Sequence, residues 1–317
     1  MRIATFDTEL YAKGPGQMLA AINKRAPQVM NVARRIAANR PDVILVLGID
    51  LDAERHGIHA LANLIGAEGH DLPHRIVAGS NRGLASGGDL DDDGRTDGPG
   101  DNQGFARFRG QNGMAILSRY PLAGAITDHS GLLWNAMPGD GATVLPQAAR
   151  AVQRLASNGF WQVPISLPWG DKLTLLTLDA SPPVFDGPED RNGLRNADEV
   201  RFWRLVLDGA IAPPPDGPFV ILGNANLDPR KGEGRREAIE ALLEDPRLTD
   251  PLPQNDKGGL DTVNWPSPGP GPMRVDYVLP SRDLLVVASG QDTPDERPKP
   301  GERATRHRLV WVDVTWP

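Results

Sequence analysis

The sequence has 317 residues, 39% of them hydrophobic, so it is long enough to bury a sizeable core. It contains no cysteine, which excludes disulfides, thiolate metal sites and a cysteine nucleophile. A formal net charge of -7 argues against a protein that coats nucleic acid non-specifically, because such binding needs a basic face.

The sequence shows neither a membrane-spanning segment nor a signal peptide. No apolar run approaches the length of a membrane span, and Met1 leads at once into a strand pattern with no room for a signal peptide. The pattern is consistent with an intracellular protein or with an exported mature chain, and it does not decide between them. We expect a monomer with no membrane association and no strong nucleic-acid signal.

Strands and helices alternate along the chain. In chain order the expected elements are strand 2–6, helix 27–39, strand 43–47, helix 57–65, strands 114–117, 160–167 and 173–178, helix 196–207, strand 219–222, helix 235–243, and strands 274–279, 284–288 and 308–314. The run 43–47 is continuously apolar, which is typical of a strand buried on both faces. This alternation favours the α/β class.

Residues 80–112 form a long loop rich in aspartate and glycine, of a length that is more often functional than idle. Within it, residues 89–97 read D-x-D-x-D-G-x-x-D, the first nine positions of an EF-hand-type calcium loop. The expected ligands are four carboxylates and one backbone carbonyl, from Asp89, Asp91, Asp93, Asp97 and Arg95. The twelfth position is Gly100 instead of glutamate, with Asp101 adjacent. We predict a structural Ca²⁺ site, whereas the alternative is a solvated acidic loop.

Four stretches carry the strongest functional signal. They are Val220-Ile-Leu-Gly-Asn-Ala-Asn-Leu-Asp-Pro229, Gly113-Met-Ala-Ile-Leu-Ser-Arg-Tyr-Pro-Leu122, Arg274-Val-Asp-Tyr-Val-Leu-Pro-Ser281 and His307-Arg-Leu-Val-Trp-Val-Asp-Val314. With this spacing the sequence resembles the endonuclease/exonuclease/phosphatase superfamily, the deoxyribonuclease-like metal-dependent phosphoesterases. The resemblance implies one domain over 1–317, built as a four-layer α/β/β/α sandwich of two packed mixed sheets with helices on both outer faces.

Four polar residues match the positions that the resemblance implies for the active site. Asn226 corresponds to the asparagine of the Gly-Asp-x-Asn turn that positions water, and Glu9 to the acidic residue after the first strand. His307 corresponds to the C-terminal histidine, and Asp276 to the carboxylate that orients it. An Asp276–His307 pair is also compatible with a purely structural role that ties two strands together.

Five positions depart from the implied pattern. Asp7 replaces an asparagine, and Gly48 replaces the metal-binding glutamate of the second strand. Asp179 replaces a mid-chain histidine. Asn224 replaces the aspartate of the turn, and it cannot accept a proton from water. Arg306 replaces the aspartate before His307 and is a permanent cation.

These exchanges remove two negative charges, which equals the charge of one divalent ion. We therefore expect Arg306 near the vacated metal position, paired with Asp7 or Asp179 as an internal cation. Losing both a metal carboxylate and the turn carboxylate weighs against phosphoester hydrolysis.

Three functions are compatible with this pattern. The first is a superfamily member whose metal-dependent site is degenerate and inactive or very weak, with a phosphate-containing ligand as a possible partner. The second is an active phosphodiester or phosphomonoester hydrolase with Mg²⁺ or Mn²⁺ moved toward the carboxylates of Asp7, Glu9, Asp50, Asp179 and Asp228. The third is a calcium-stabilised binding module without catalysis.

Overall fold

The computed structural model describes residues 1–293 and 305–317. In chain order its strands are β1 (Arg2–Asp7), β2 (Val43–Ile49), β3 (His74–Ile76), β4 (Leu84–Ala85), β5 (Asn102–Gln103), β6 (Gly113–Ser118), β7 (Thr127–Asp128), β8 (Trp161–Ser166), β9 (Lys172–Asp179), β10 (Phe219–Asn224), β11 (Val263–Trp265), β12 (Gly271–Met273), β13 (Asp276–Pro280), β14 (Leu285–Gln291) and β15 (Val310–Thr315). Its helices are α1 (Gln17–Asn23), α2 (Pro27–Asn39), α3 (His56–Ala67), α4 (Gln147–Arg150), α5 (Arg191–Leu207) and α6 (Arg236–Leu243), with short 3₁₀ turns at Trp134–Ala136 and Gly141–Val144.

Two mixed sheets form the centre of the fold. The larger has the order β14-β15-β1-β2-β6-β3, and the smaller has the order β13-β10-β9-β8-β7. In the larger sheet β1 is parallel to β2 and antiparallel to β15. In the smaller, β10 is parallel to β9 and antiparallel to β13. The pairs β4–β5 and β11–β12 form two small sheets of their own.

The apolar run on β2 explains how the layers are held together. Successive side chains of a strand point to opposite faces. Val43 and Leu45 therefore enter the core between the two sheets, while Ile44 and Val46 pack toward the helices. All seven residues of β2 are buried. The strand thus contributes to two layers at once, as its continuous hydrophobicity predicts.

Helices cover both outer faces. The core on one side joins the larger sheet to α1, α2 and α3, and the core on the other joins the smaller sheet to α5 and α6. The predicted four-layer α/β/β/α architecture is confirmed. Within the described ranges, no helix is both long enough and apolar enough to span a bilayer.

Some element boundaries differ from the sequence prediction. Helix α5 begins at Arg191 instead of residue 196, and α1 was not predicted. Strand β10 continues through Gly223 to Asn224, two residues beyond the expected end. This extension matters because it places Asn224 inside the sheet ladder, where its neighbours are fixed by strand register.

Candidate functional site

Strand register brings three polar side chains together at one edge of the smaller sheet. Asn224 on β10 is paired with Asp179 on β9 and with Asp276 on β13. All three are buried. Asp7 ends β1 of the facing sheet, which packs against β10. Its Oδ2 lies 3.5 Å from Asn224 Nδ2, so the polar ends of both sheets meet at one cleft.

His307 lies between two carboxylates of this cleft. Its Nδ1 is 2.9 Å from Asp276 Oδ2, and its Nε2 is 3.8 Å from Asp7 Oδ2. Burial by itself lowers the pKa of His307, but the charges of Asp276 and Asp7 outweigh burial and raise it to about 9. The imidazole is therefore a cation at neutral pH. Its Nε2 makes no hydrogen bond among the described residues, and His307 is one of the residues that line the cleft.

Arg306 pairs with Glu9, and not with Asp7 or Asp179 as expected from the sequence. Both its backbone N–H and its Nε donate to the Glu9 carboxylate, each at 2.8 Å, and Nη2 also contacts Oε1. The reason is the chain path: Thr305 Oγ1 donates to the backbone carbonyl of Asp7, which holds this segment beside the exit of β1. Burial favours a raised pKa for Glu9, yet the Arg306 hydrogen bonds outweigh it and lower the pKa.

Gly48 lies on a bulge of β2, between Leu47 and Ile49, with φ of +70°. A side chain here would be strained, because L residues rarely adopt this conformation. A Cβ at Gly48 would also come within 2.7 Å of Glu9 N and would overlap Asp7 Oδ1. The backbone at this position is thus fitted to glycine, and the neighbouring side chain occupies the space of any replacement.

Asp179 is buried without a strong cationic partner. Burial, the largest effect, raises its pKa to about 7, although Arg82 opposes it. Arg82 Nη2 lies 3.8 Å from the carboxylate, and Asn158 Nδ2 donates to it at 2.8 Å. Near pH 7 this carboxyl group is therefore a mixture of the neutral acid and the anion.

Arg82, Asn112 and Asn158 were not predicted as site residues. The first two lie in the loop 80–112, and Asn112 lines the cleft beside Arg82. Only the unusual length of that loop indicated function, because neither residue stands in a recognisable motif.

The cleft has a volume of about 910 Å³. Its polar floor holds carboxylates, cations and amides in similar numbers, from Asp7, Glu9, Asp179, Arg82, Arg306, His307, Asn112, Asn224 and Asn226. Asn226 is anchored by two hydrogen bonds of 2.7 Å: its Nδ2 donates to Ala180 O, and its backbone N–H donates to Asn224 Oδ1. The rest of the lining is mostly apolar, with Tyr11 and the carboxylate of Glu233 as its polar members.

Two positions at this floor offer a divalent ion no free carboxylate. The second strand offers no side-chain oxygen at Gly48, and both oxygens of Glu9 are engaged by Arg306. Asp50 and Asp228 were also expected as ligands of a displaced metal. Asp50 accepts the N–H groups of Ala12 and Asn112 and does not line the cleft. Asp228 likewise accepts three backbone N–H groups outside it. A metal moved toward these two residues is not compatible with the structure.

The loop 80–112 does assemble a carboxylate cluster. Asp89, Asp91 and Asp101 bring one oxygen each to within 4.8 Å of one another, and no other such group occurs in the ranges described above. Asp101 is buried, and its two oxygens accept N–H groups of Leu90 and Gly98. Two of the predicted ligands, Asp89 and Asp91, belong to this cluster, and its third member, Asp101, lies beyond the nine-residue motif.

Three expected calcium ligands lie elsewhere in the same loop. The side chain of Asp97 pairs with the guanidinium of Arg95 at 3.1 Å, and Asp93 accepts the Arg95 backbone N–H at 2.9 Å. Neither carboxylate belongs to the cluster. The local pairing of Arg95 with Asp97 draws that end of the loop outward, where both side chains are exposed.

A scan against family models matches residues 20–305 to the Endonuclease/Exonuclease/phosphatase family. The chain belongs to this family. No curated protein matches the sequence of this family member.

Solved structures show the same fold at low sequence identity. A Beutenbergia cavernae endonuclease/exonuclease/phosphatase is 20% identical, with a TM-score of 0.61 over 100% of this chain and 71% of that one. A Leptotrichia buccalis family protein is 15% identical, with a TM-score of 0.59 over both whole chains. Sphingomyelinase C from Streptomyces griseocarneus is 15% identical, with a TM-score of 0.55 over 98% of each chain.

Proposed function

We propose that this protein is a member of the endonuclease/exonuclease/phosphatase family that works without the catalytic metal and does not hydrolyse phosphoesters. The Glu9–Arg306 ion pair carries this proposal, because it places a guanidinium on the carboxylate that a divalent ion needs. The glycine backbone at position 48 supports it independently. The single-domain, monomeric organisation expected from sequence is part of the same proposal.

The chemistry of the floor supports the loss of hydrolysis. Metal-assisted phosphoryl transfer needs a Lewis acid and a base that orients and deprotonates water. The resemblance implies that the base of the turn corresponds to Asn224, an amide whose Oδ1 already accepts the Asn226 N–H. An amide takes no proton at ordinary pH. Each missing group is worth several kcal/mol of barrier, on the order of 10²–10³ in rate.

The ligand we propose for the cleft is phosphate-containing. His307 is a cation at this floor whose Nε2 lies 3.8 Å from Asp7 Oδ2 and makes no hydrogen bond among the described residues, and Arg82 and Arg306 add guanidinium groups. Asp179 is neutral in part at pH 7 and can then donate a proton to an anion. Cations and N–H donors that converge on a cleft are the usual means of binding a phosphate group.

Phosphate release and phosphate binding, measured together, test this function. Purified protein is incubated with generic phosphomonoester and phosphodiester substrates plus Mg²⁺, Mn²⁺ or Ca²⁺, and binding of inorganic phosphate is measured by calorimetry with EDTA present. We expect no metal-dependent turnover and phosphate binding that persists in EDTA. Metal-dependent turnover that His307→Ala abolishes would establish an active hydrolase instead.

We also propose that Asp89, Asp91 and Asp101 hold a structural Ca²⁺ ion. The carboxylates of these residues repel one another, and a bound cation would remove that repulsion. Burial first, and then the charges of Asp93, Asp101 and Asp89, raise the pKa of Asp91. A calcium-stabilised protein without catalysis is compatible with the same metal-free cleft.

A further inference from the structure

The wall of the cleft is unusually apolar for a site with a charged floor. Five prolines, one valine, one methionine and two aromatic residues line it, from the segment after β9 and from the β11–β12 hairpin. Phe185 is 89% exposed, at φ of +72°. An exposed aromatic ring held in a conformation that costs free energy indicates a function other than folding.

Trp265, at the end of β11, stands next to the cationic floor. The centroids of its indole and the His307 imidazole are 5.7 Å apart, and the two rings are nearly perpendicular, at 86°. His307 lines the same cleft, and its Nε2 makes no hydrogen bond among the described residues. A phosphate bound to that nitrogen therefore has its ester oxygen, and the first group attached to it, within reach of the indole.

We infer that the cleft binds a phosphomonoester whose alcohol carries an aromatic ring, with the phosphate at His307 and Arg82 and the ring between Trp265 and Phe185. This inference rests on the proposed phosphate site and adds to it the chemical class of the organic group. In this arrangement the cationic groups of the floor bind the phosphate, and the rings of Trp265 and Phe185 pack against the aromatic group.

An aromatic group fits the wall better than an acyl chain does. The indole of Trp265 contacts the floor at His307, and Pro266 follows it in the lining, so two rigid rings stand together on this side of the cleft. Aromatic rings pack face to face or edge to face with centroids several ångström apart, and such pairs add to the free energy of burial. A flexible chain would lose more conformational entropy against the same surface.

The test compares phenyl phosphate, methyl phosphate and inorganic phosphate by calorimetry with EDTA present. We expect phenyl phosphate to bind about tenfold more tightly than methyl phosphate, as expected for one ring stacked on an aromatic side chain. The gain should fall to about twofold in Trp265→Ala and in Phe185→Ala. Trp265→Leu keeps apolar bulk and checks that the hairpin remains folded.

Trp169→Ala is the matched control, since Trp169 is also half exposed but packs against Trp316 away from the cleft. The phenyl gain should be unchanged in this variant. Equal binding of phenyl and methyl phosphate would overturn the inference and leave the phosphate site intact. A phenyl gain that persists in both Trp265→Ala and Phe185→Ala would also overturn it. Absence of binding by all three anions would overturn the inference and the proposed phosphate site together.

Discussion

Glu9 and Arg306 form an ion pair that joins the exit of the first strand to the segment before the last one. The guanidinium and the backbone N–H of Arg306 both bind the carboxylate of Glu9, whose side chain is only 8% exposed. In this family fold a divalent ion normally stabilises the carboxylates at this edge. We propose that in this chain the guanidinium of Arg306 supplies that positive charge instead.

Removing Arg306 should destabilise the protein in a pH-dependent way. Arg306→Ala removes the guanidinium donors of the buried Glu9 and leaves only the backbone N–H of residue 306, so the pKa of Glu9 should rise. Because the pair lowers that pKa, its stabilisation is present above the unfolded value near 4.5 and is lost as pH falls through the folded value. With allowance for solvent screening, we expect a loss of about 1 kcal/mol at pH 7 in urea unfolding.

Arg306→Lys is the control, because it keeps the charge and loses the paired geometry. An alanine variant as stable as the parent at pH 7 would show that the pair contributes nothing.

The backbone at Gly48 predicts an unusually costly alanine. Gly48→Ala combines strain at φ of +70° with the overlap between the new Cβ and the Asp7 carboxylate. Gly16→Ala has a similar φ of +75° and nothing within 4 Å, so it measures strain alone. We expect thermal unfolding to show Gly48→Ala less stable than Gly16→Ala by about 1–3 kcal/mol. Equal losses would mean that Asp7 moves aside at no cost.

Asp179 should make the protein less stable as pH rises. Its folded pKa of about 7 lies above the unfolded value of 3.8, so the folded state binds more protons between these limits. Stability therefore falls from about pH 4 to pH 7. Asp179→Asn removes this loss. The difference in free energy of unfolding between the variant and the parent should therefore grow across that range and level off above it. The difference between the folded and unfolded pKa of Asp179 corresponds to at most about 4 kcal/mol in the free energy of unfolding.

Asp245→Asn provides a control of opposite sign. The hydrogen bond from Arg247, the largest effect, lowers the pKa of Asp245 to about 2. Its contribution is present above pH 3.8 and is lost as pH falls toward 2. Denaturant unfolding from pH 3 to 8 checks both variants. An Asp179→Asn variant with no stability gain at pH 8 would contradict the buried position of this carboxyl.

Calcium should stabilise the loop 80–112. If Asp89, Asp91 and Asp101 bind Ca²⁺ in the weak range of extracellular modules, millimolar Ca²⁺ should raise the melting temperature. Asp91→Asn should abolish the increase, whereas Asp97→Asn should leave it unchanged because Asp97 pairs with Arg95 outside the cluster. A melting temperature that stays the same when Ca²⁺ is added would contradict the proposed calcium site.

The sequence predicts the layers well because they depend on local pattern. The continuous hydrophobicity of 43–47 indicates a strand buried on both faces, and β2 is one. The places of Asp276 and His307 in the chain could also be predicted from the sequence, since each stands in a motif at the end of a strand. Helix α1 was not predicted because it has only 7 residues and begins after the glycine- and proline-rich stretch 14–16.

The partners within the site could not be predicted in the same way. Arg306 faces Glu9 because Thr305 binds the carbonyl of Asp7, a contact between residues almost 300 positions apart. Arg82 reaches Asp179 from a loop whose path no short pattern specifies. Asp101 belongs to the acidic cluster in place of Asp97, and its carboxylate accepts the backbone N–H groups of Leu90 and Gly98, which holds it beside Asp89 and Asp91. Each depends on tertiary packing.

Anomalous diffraction from crystals soaked in Mn²⁺ tests the central claim most directly, because it locates the ion as well as detecting it. The account predicts no manganese peak coordinated by Asp7 or Glu9, with the Glu9–Arg306 pair intact in the same crystal. A peak between the end of β1 and the Asn224–Asn226 turn, with Arg306 displaced from Glu9, would contradict it.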